Sequence, residues 1–262
     1  MSIDESISRF MGLLLGHAPG FDAFMLTVSG SNLLKGAVLI AAASCFWIAP
    51  TEGSTPGNRI GLAADRAILA SAMLASCVGE IIALAMAKLA PFRLRPFLNE
   101  DLGMHVPQGL QALAPKMMQQ SSFPSDHAVL FFAMATGLWL VNRRAGWLAF
   151  GYVATVIALP RLYLGLHFAS DLIVGAMIGV VVVLAGVRVM ADSTPMRWLS
   201  AQTFERPVLV NPILMLITFQ IATMLSDLRD FADLAGHLTG LDNDTPQLSA
   251  MNTAATGATH AL

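Results

Sequence analysis

The sequence predicts an all-α, polytopic membrane bundle of about six transmembrane helices, preceded by amphipathic interfacial helices. Three observations lead there. Of 262 residues, 55% are hydrophobic and only 12% charged, with a mean hydropathy of +0.65, too apolar for an ordinary soluble domain. Six apolar stretches meet or approach the roughly 20 residues that a helix needs to cross a hydrocarbon core. The basic residues between them gather in alternate connections, as the positive-inside rule requires of a multi-pass protein.

Taken in order, the chain opens with "ISRFMGLLLGHAPGFDAFMLTVSGSN", in which apolar residues alternate with Gly, His, Pro, Asp and Ser. This composition suits one or two amphipathic helices lying on the membrane surface over residues 1–33. Asp4 and Glu5 stand where a cleavable signal peptide carries its basic region, so insertion is expected to come from the spans themselves. Those spans are predicted at 34–50, 67–87, 127–141, 147–164, 170–191 and 208–225, the third and fourth being short. Gly175 and Gly179 form a small-xxx-small pair for close helix packing. With no solenoid repeat, residues 1–226 form one membrane domain. The stretch 227–262 turns acidic and then Ala/Thr-rich, a composition that cannot bury a core and predicts a flexible tail.

A net charge of -2 and a pI near 6.3 lack the basic surplus of a nucleic-acid binder. Cys45 and Cys77 lie inside apolar runs and read as small buried hydrophobes. Arg59, Arg66, Arg143, Arg144, Arg188, Arg197 and Arg206 mark three connections as cytoplasmic. The segments 88–126 and 160–170 then emerge together on the outer side.

Those two outer segments hold most of the polar chemistry. Lys88 closes the second span and Arg95 follows it, ahead of Pro96; Pro124, Ser125, Asp126 and His127 open the third span; Arg161, His167 and Asp171 bridge the fourth and fifth. Singly, each has a structural reading. Lys88, Arg93 and Arg95 could snorkel to the interface, Ser125 or Asp126 could cap the following helix, with capping preferred for Asp126, and Asp171 could cap the next span. His17, His105, His237 and His260 fit no pattern, and Glu80 inside the second span reads equally as a functional acid or a protonated structural one. Jointly they say more. His167 and Asp171 are spaced i, i+4, so they are neighbours on a helix and the carboxylate can hold one imidazole nitrogen while the other faces out. A second histidine, a serine and cations at the same membrane face suit phosphoryl transfer, whose transition-state charge needs donors and positive groups.

The three patterns, Lys88-x6-Arg95-Pro96, Pro124-Ser125-Asp126-His127 and Arg161-x5-His167-x3-Asp171, resemble the signature motifs of the type 2 phosphatidic acid phosphatase superfamily. Their order and spacing match over about a third of the chain. Asp126 replaces the usual glycine, and "SFPSDHA" together with "GHAPGFDAFM" is similar to the bacterial undecaprenyl-diphosphate phosphatase branch. Pro160 stands where the third motif has serine, removing a hydroxyl and a backbone N–H. The resemblance implies a helical bundle, a lipid phosphate substrate (polyprenyl diphosphate first) and no cofactor or metal. It implies that His167 attacks phosphorus, Asp171 orients it, His127 protonates the leaving oxygen, and Lys88, Arg95, Ser125 and Arg161 hold the phosphoryl oxygens. With the sidedness expected from the basic residues, the active site would face outward from the cytoplasmic membrane. Other lipid phosphates, phosphotransfer to a lipid acceptor and a non-catalytic lipid binder remain alternatives, and oligomeric state stays open.

Overall fold

The computed structural model describes residues 2–48, 59–104, 106–111 and 114–223. The end of the first predicted span, half of the 51–66 connection, His105, residues 224–225 and the predicted tail with His237 and His260 lie outside the described residues. Regular structure among the described residues is entirely helical, so the predicted all-α class holds.

Helix α1 (Ile3–Leu14) begins with a capping box, in which Ser2 Oγ accepts the Glu5 N–H and the Glu5 carboxylate accepts the Ser2 N–H. It leaves Ile3, Phe10, Leu13 and Leu14 exposed. Helix α2 (Pro19–Gly30) starts on a proline, whose missing N–H costs nothing at that position. Helix α3 (Leu33–Ile48) opens with a π-helical turn over Leu33–Ala37 and bends by 65° from α2. The long α4 (Arg59–Leu89, 31 residues) ends at the first basic motif. Short helical turns occupy Pro96–Leu98, Glu100–Leu102, Gln108–Gln111 and Ala114–Met117.

Ser125 caps helix α5 (Asp126–Val141) and Asn142 caps α6 (Arg143–Tyr163), each side chain accepting a first-turn N–H. Helix α6 is π-helical over Val153–Ala158, immediately before Pro160. Proline removes an intrahelical donor, and a local shift of the hydrogen-bond ladder accommodates it. Helix α7 (Ala169–Met190), α8 (Thr194–Glu205) and α9 (Pro207–Ala222) complete the order.

By length and composition, Gly61–Leu89, α6 and α7 qualify as membrane crossings, with α2 and α3 a fourth if the bent pair counts as one. This is short of the six expected. Helices α5 and α9 have 16 residues each among the described residues, about 24 Å of rise against a hydrocarbon core of ~30 Å.

Small residues set the core. Ala72 and Ala75 of α4, Ala133 of α5 and Val183 of α7 are buried together. A Cβ at Gly175 would come within 2.6 Å of Ser125 O, and one at Gly179 within 2.2 Å of Val129 O. The predicted glycine pair therefore lets α7 lie directly against the backbone of α5. This contact brings the start of α5 beside the start of α7, where Ser125 N–H donates to Asp171 O at 3.2 Å.

A second apolar cluster, Leu15, Met25, Phe97, Leu110, Tyr163, Leu164 and Leu166, fastens the N-terminal helices and the 96–117 segment to the connection between α6 and α7. Gly165 lies in that connection at φ +68°, where a side chain would be strained and would strike Met104 and Phe97 N. Its carbonyl accepts the Phe97 N–H at 3.0 Å, registering the Arg95–Pro96 motif against the loop that carries His167. The described chain to Ala222 forms one compact unit.

Candidate active site

His167 follows the turn after α6 and is 4% exposed. Its Nδ1 lies 2.8 Å from the backbone carbonyl oxygen of Ser122. A carbonyl can only accept, so Nδ1 carries the proton and the lone pair resides on Nε2. Arg95 Nη1 stands 3.4 Å from that Nε2 and donates to Leu166 O at 2.9 Å. Burial, followed by the Arg95 guanidinium, pushes the His167 pKa down to about 3, so the imidazole is neutral near pH 7 and its lone pair is available.

Asp171 approaches the same ring less closely than expected. Its Oδ2 is 4.0 Å from His167 Nδ1, beyond hydrogen-bond length. The carboxylate is engaged elsewhere: Oδ2 accepts the Phe168 N–H at 2.9 Å, and Oδ1 pairs with Arg93 Nη1 at 2.5 Å. The group that fixes the tautomer is the Ser122 carbonyl.

His127 opens α5 with its Nδ1 2.7 Å from Asp126 Oδ1, leaving Nε2 free for proton transfer. The capping role preferred for Asp126 is thus filled by Ser125, and Asp126 instead holds the second histidine. The side chains of His127 and Asp126 are 21% and 45% exposed, so they form an open lip above the buried His167, Arg95, Arg161, Ser125 and Asp171. Asp126 is close enough to His127, His167 and Arg161 for their charges to act on it. Arg161 is 4% exposed and donates to Ile157 O at 3.2 Å, back into the π-helical turn before Pro160.

Among the described residues, Arg95 Nε has no hydrogen-bond partner although it is buried. A buried cationic donor without an acceptor is costly, and an anion beside His167 Nε2 would satisfy it. No three His, Cys, Asp or Glu side chains among the described residues lie close enough together to hold a metal ion. A cavity of about 380 Å³, lined by Trp47, Arg66, Leu69, Asn211 and Leu214 among others, lies around the N-terminal part of α4 and includes none of these residues.

The structure therefore gathers Arg95, Ser125, His127, Arg161, His167 and Asp171 from three separate sequence segments. Lys88 lies exposed in the last turn of α4. Sequence reasoning missed Ser122, whose backbone does the orienting, read Arg93 only as a snorkelling cation, and gave Asp4 no part in the site. Arg93 Nη2 pairs with Asp4 Oδ2 at 2.7 Å, a contact spanning 89 residues. It also overlooked Lys35, which lies close enough to Arg161, Asp126 and His127 for charge to be felt between them.

The chain is similar to several known proteins. Residues 66–195 match the PAP2 superfamily. Over 180 residues the chain is 30% identical to the putative undecaprenyl-diphosphatase YbjG of Escherichia coli K12, covering 68% of this chain and 79% of that protein. It is 28% identical over 120 residues to the bacitracin transport permease protein BcrC of Bacillus licheniformis, covering 44% of this chain and about half (52%) of that protein. It is 22% identical over 180 residues to the lipid A 1-diphosphate synthase of E. coli K12, covering 68% and 71%. No solved structure matches. The matched region contains every motif residue from Lys88 to Asp171 and the helices that converge on them, and on these grounds the chain is an integral membrane protein belonging to the PAP2 superfamily.

Proposed function

We propose that the protein is a lipid phosphatase that removes the terminal phosphate of a polyprenyl diphosphate, undecaprenyl diphosphate first, through a phosphohistidine at His167. The observation that carries this reading is the committed tautomer of His167: Nδ1–H is held by Ser122 O, and the neutral Nε2 lone pair sits beside the buried, partly unpaired Arg95 guanidinium. His167 Nε2 attacks the terminal phosphorus, forming an N–P bond as the P–O bond to the prenyl phosphate breaks. Arg95 and Arg161 bind the equatorial oxygens where charge accumulates, with Ser125 at the helix start and Lys88 reaching in from the end of α4. His127, steadied by Asp126, gives its proton to the leaving oxygen and then takes one from the water that attacks the phosphohistidine, releasing phosphate and free His167.

The relative named as a putative undecaprenyl-diphosphatase favours the prenyl diphosphate. The arginine distribution supports a site at the outer face of the cytoplasmic membrane. A second reading comes from the relative named as a lipid A 1-diphosphate synthase: the same phosphohistidine passes its group to a lipid acceptor rather than to water. Phosphate release by purified protein from undecaprenyl diphosphate, phosphatidic acid and phosphatidylglycerophosphate, with His167→Ala as control, separates these. Preference for the prenyl diphosphate, lost in the variant, supports the phosphatase. Transfer of labelled phosphate to a lipid acceptor without release supports the second reading.

A further inference from the structure

Arg93 touches both groups that face His167 Nδ1. Through its backbone, its carbonyl accepts the Ser122 N–H at 2.8 Å and its N–H donates to Ser121 Oγ at 3.2 Å, fixing the segment whose carbonyl holds the imidazole. Through its side chain, Nη1 binds Asp171 Oδ1 at 2.5 Å and Ser170 Oγ at 2.8 Å, and the guanidinium lies 3.9 Å over the Phe168 ring. The second guanidinium nitrogen goes to Asp4 on α1, and Asp4 in turn accepts the Ser170 N–H at 3.1 Å and the Ser170 hydroxyl. Asp171 is fully buried, Asp4 17% exposed and Arg93 32% exposed, so the bridge runs from the interfacial helix inward to the site. A planar guanidinium suits this task because it can serve two carboxylates at once in fixed geometry.

We propose that Arg93, anchored by Asp4 of the interfacial helix α1, is a positioning residue that sets the orientation of His167 through Asp171 and Ser122, so that the seating of α1 governs the nucleophile. The proposal rests on the reading of His167 as the nucleophile, but it makes its own prediction about the imidazole. Losing the bridge misaligns Nε2 without removing any group that touches phosphate. A small misplacement of a reacting atom costs up to about 10²-fold in rate, and that loss falls on kcat.

The test compares wild type with Arg93→Ala, Arg93→Lys and Asp4→Asn in lipid nanodiscs, reading kcat, KM and the ¹⁵N resonances of His167, which are identified by their loss in His167→Gln. Asp4→Asn guards against failure to fold, because the Ser2–Glu5 capping box of α1 remains. The expected result is a displaced Nδ1 resonance in Arg93→Ala and, less so, in Asp4→Asn. With it come a kcat loss of about 10- to 10²-fold in Arg93→Ala, KM within about threefold, and partial rescue by Arg93→Lys. An unmoved Nδ1 resonance in both folded variants overturns the proposal, as does a raised KM at unchanged kcat, which would make Arg93 a phosphate contact. If wild type itself releases no phosphate, the phosphatase reading fails, and the resonance still decides the positioning role.

Discussion

Asp171 Oδ2 stands 4.0 Å from His167 Nδ1, while the Ser122 carbonyl oxygen stands at 2.8 Å. The nucleophile is thus held by backbone, and the carboxylate that the i, i+4 spacing assigns to it acts from one step further out. Asp171→Asn, which keeps the size and an acceptor for the Phe168 N–H, is accordingly expected to lower kcat by about 10- to 10²-fold and to leave phosphohistidine formation detectable. Rapid-quench measurement of the phosphoenzyme checks this; complete loss of the intermediate would return the orienting role to Asp171.

The two histidines are expected to differ in cost. His167→Ala removes the attacking atom and abolishes turnover. His127→Ala removes a proton donor, a loss of ~10²–10⁴-fold or roughly 3–5 kcal/mol of barrier, reduced where the leaving group is a good one such as a prenyl phosphate. Phosphate release from the diphosphate by both variants checks the division, and equal loss would contradict it.

Arg161 is buried and gives one N–H to Ile157 O, leaving other donors for phosphate. Each charge-assisted bond is worth about 1.5–3 kcal/mol, so Arg161→Ala is expected to reduce kcat/KM by at least ~10-fold for each bond lost, with partial recovery in Arg161→Lys. A steady-state comparison of the three proteins reads this directly.

The depressed pKa of His167 has a sign. Relative to an unfolded value of 6.5, a folded value of about 3 means that the unfolded chain binds the proton first as pH falls. Stability is therefore lost between about pH 6.5 and pH 3 and is insensitive to this group above pH 6.5. Thermal unfolding in detergent from pH 7 to pH 4 is expected to show a steeper decline in wild type than in His167→Gln.

Close approach of α5 and α7 predicts that Gly179→Leu is destabilising, because its Cβ would lie 2.2 Å from Val129 O. Overpacking of this kind costs roughly 1–3 kcal/mol. Gly151→Ala, at a position with open space around it, serves as the control and is expected to leave the unfolding temperature unchanged.

What the sequence made legible was whatever depends on local spacing. The Gly175–Gly179 pair and the meeting of Arg95, His127, Arg161 and His167 follow from local spacing and from the parity of the spans. What it hid depends on long-range contact or on competition between neighbours. Asp4 and Arg93 meet across 89 residues, and nothing in either local pattern names the other. Asp126 and Ser125 both suited a cap, and only the packed helix start shows that Ser125 takes it while Asp126 turns to His127. Lys88 matched its motif yet lies exposed at the end of α4. Of the six expected spans, the third was already short in the sequence, and α5 and α9 among the described residues are 16 residues each, while the fourth, also expected to be short, is a 21-residue helix.

The central claim is that His167 Nε2 carries the phosphoryl group. The most direct measurement is acid-free quenching of the reaction with terminally ³²P-labelled undecaprenyl diphosphate, followed by peptide mapping of the protein-bound label. The account predicts an acid-labile, alkali-stable phosphoramidate on His167 that is absent in His167→Ala and accumulates in His127→Ala. Label on another residue, or phosphate release with no covalent label in any of the three proteins, would contradict it.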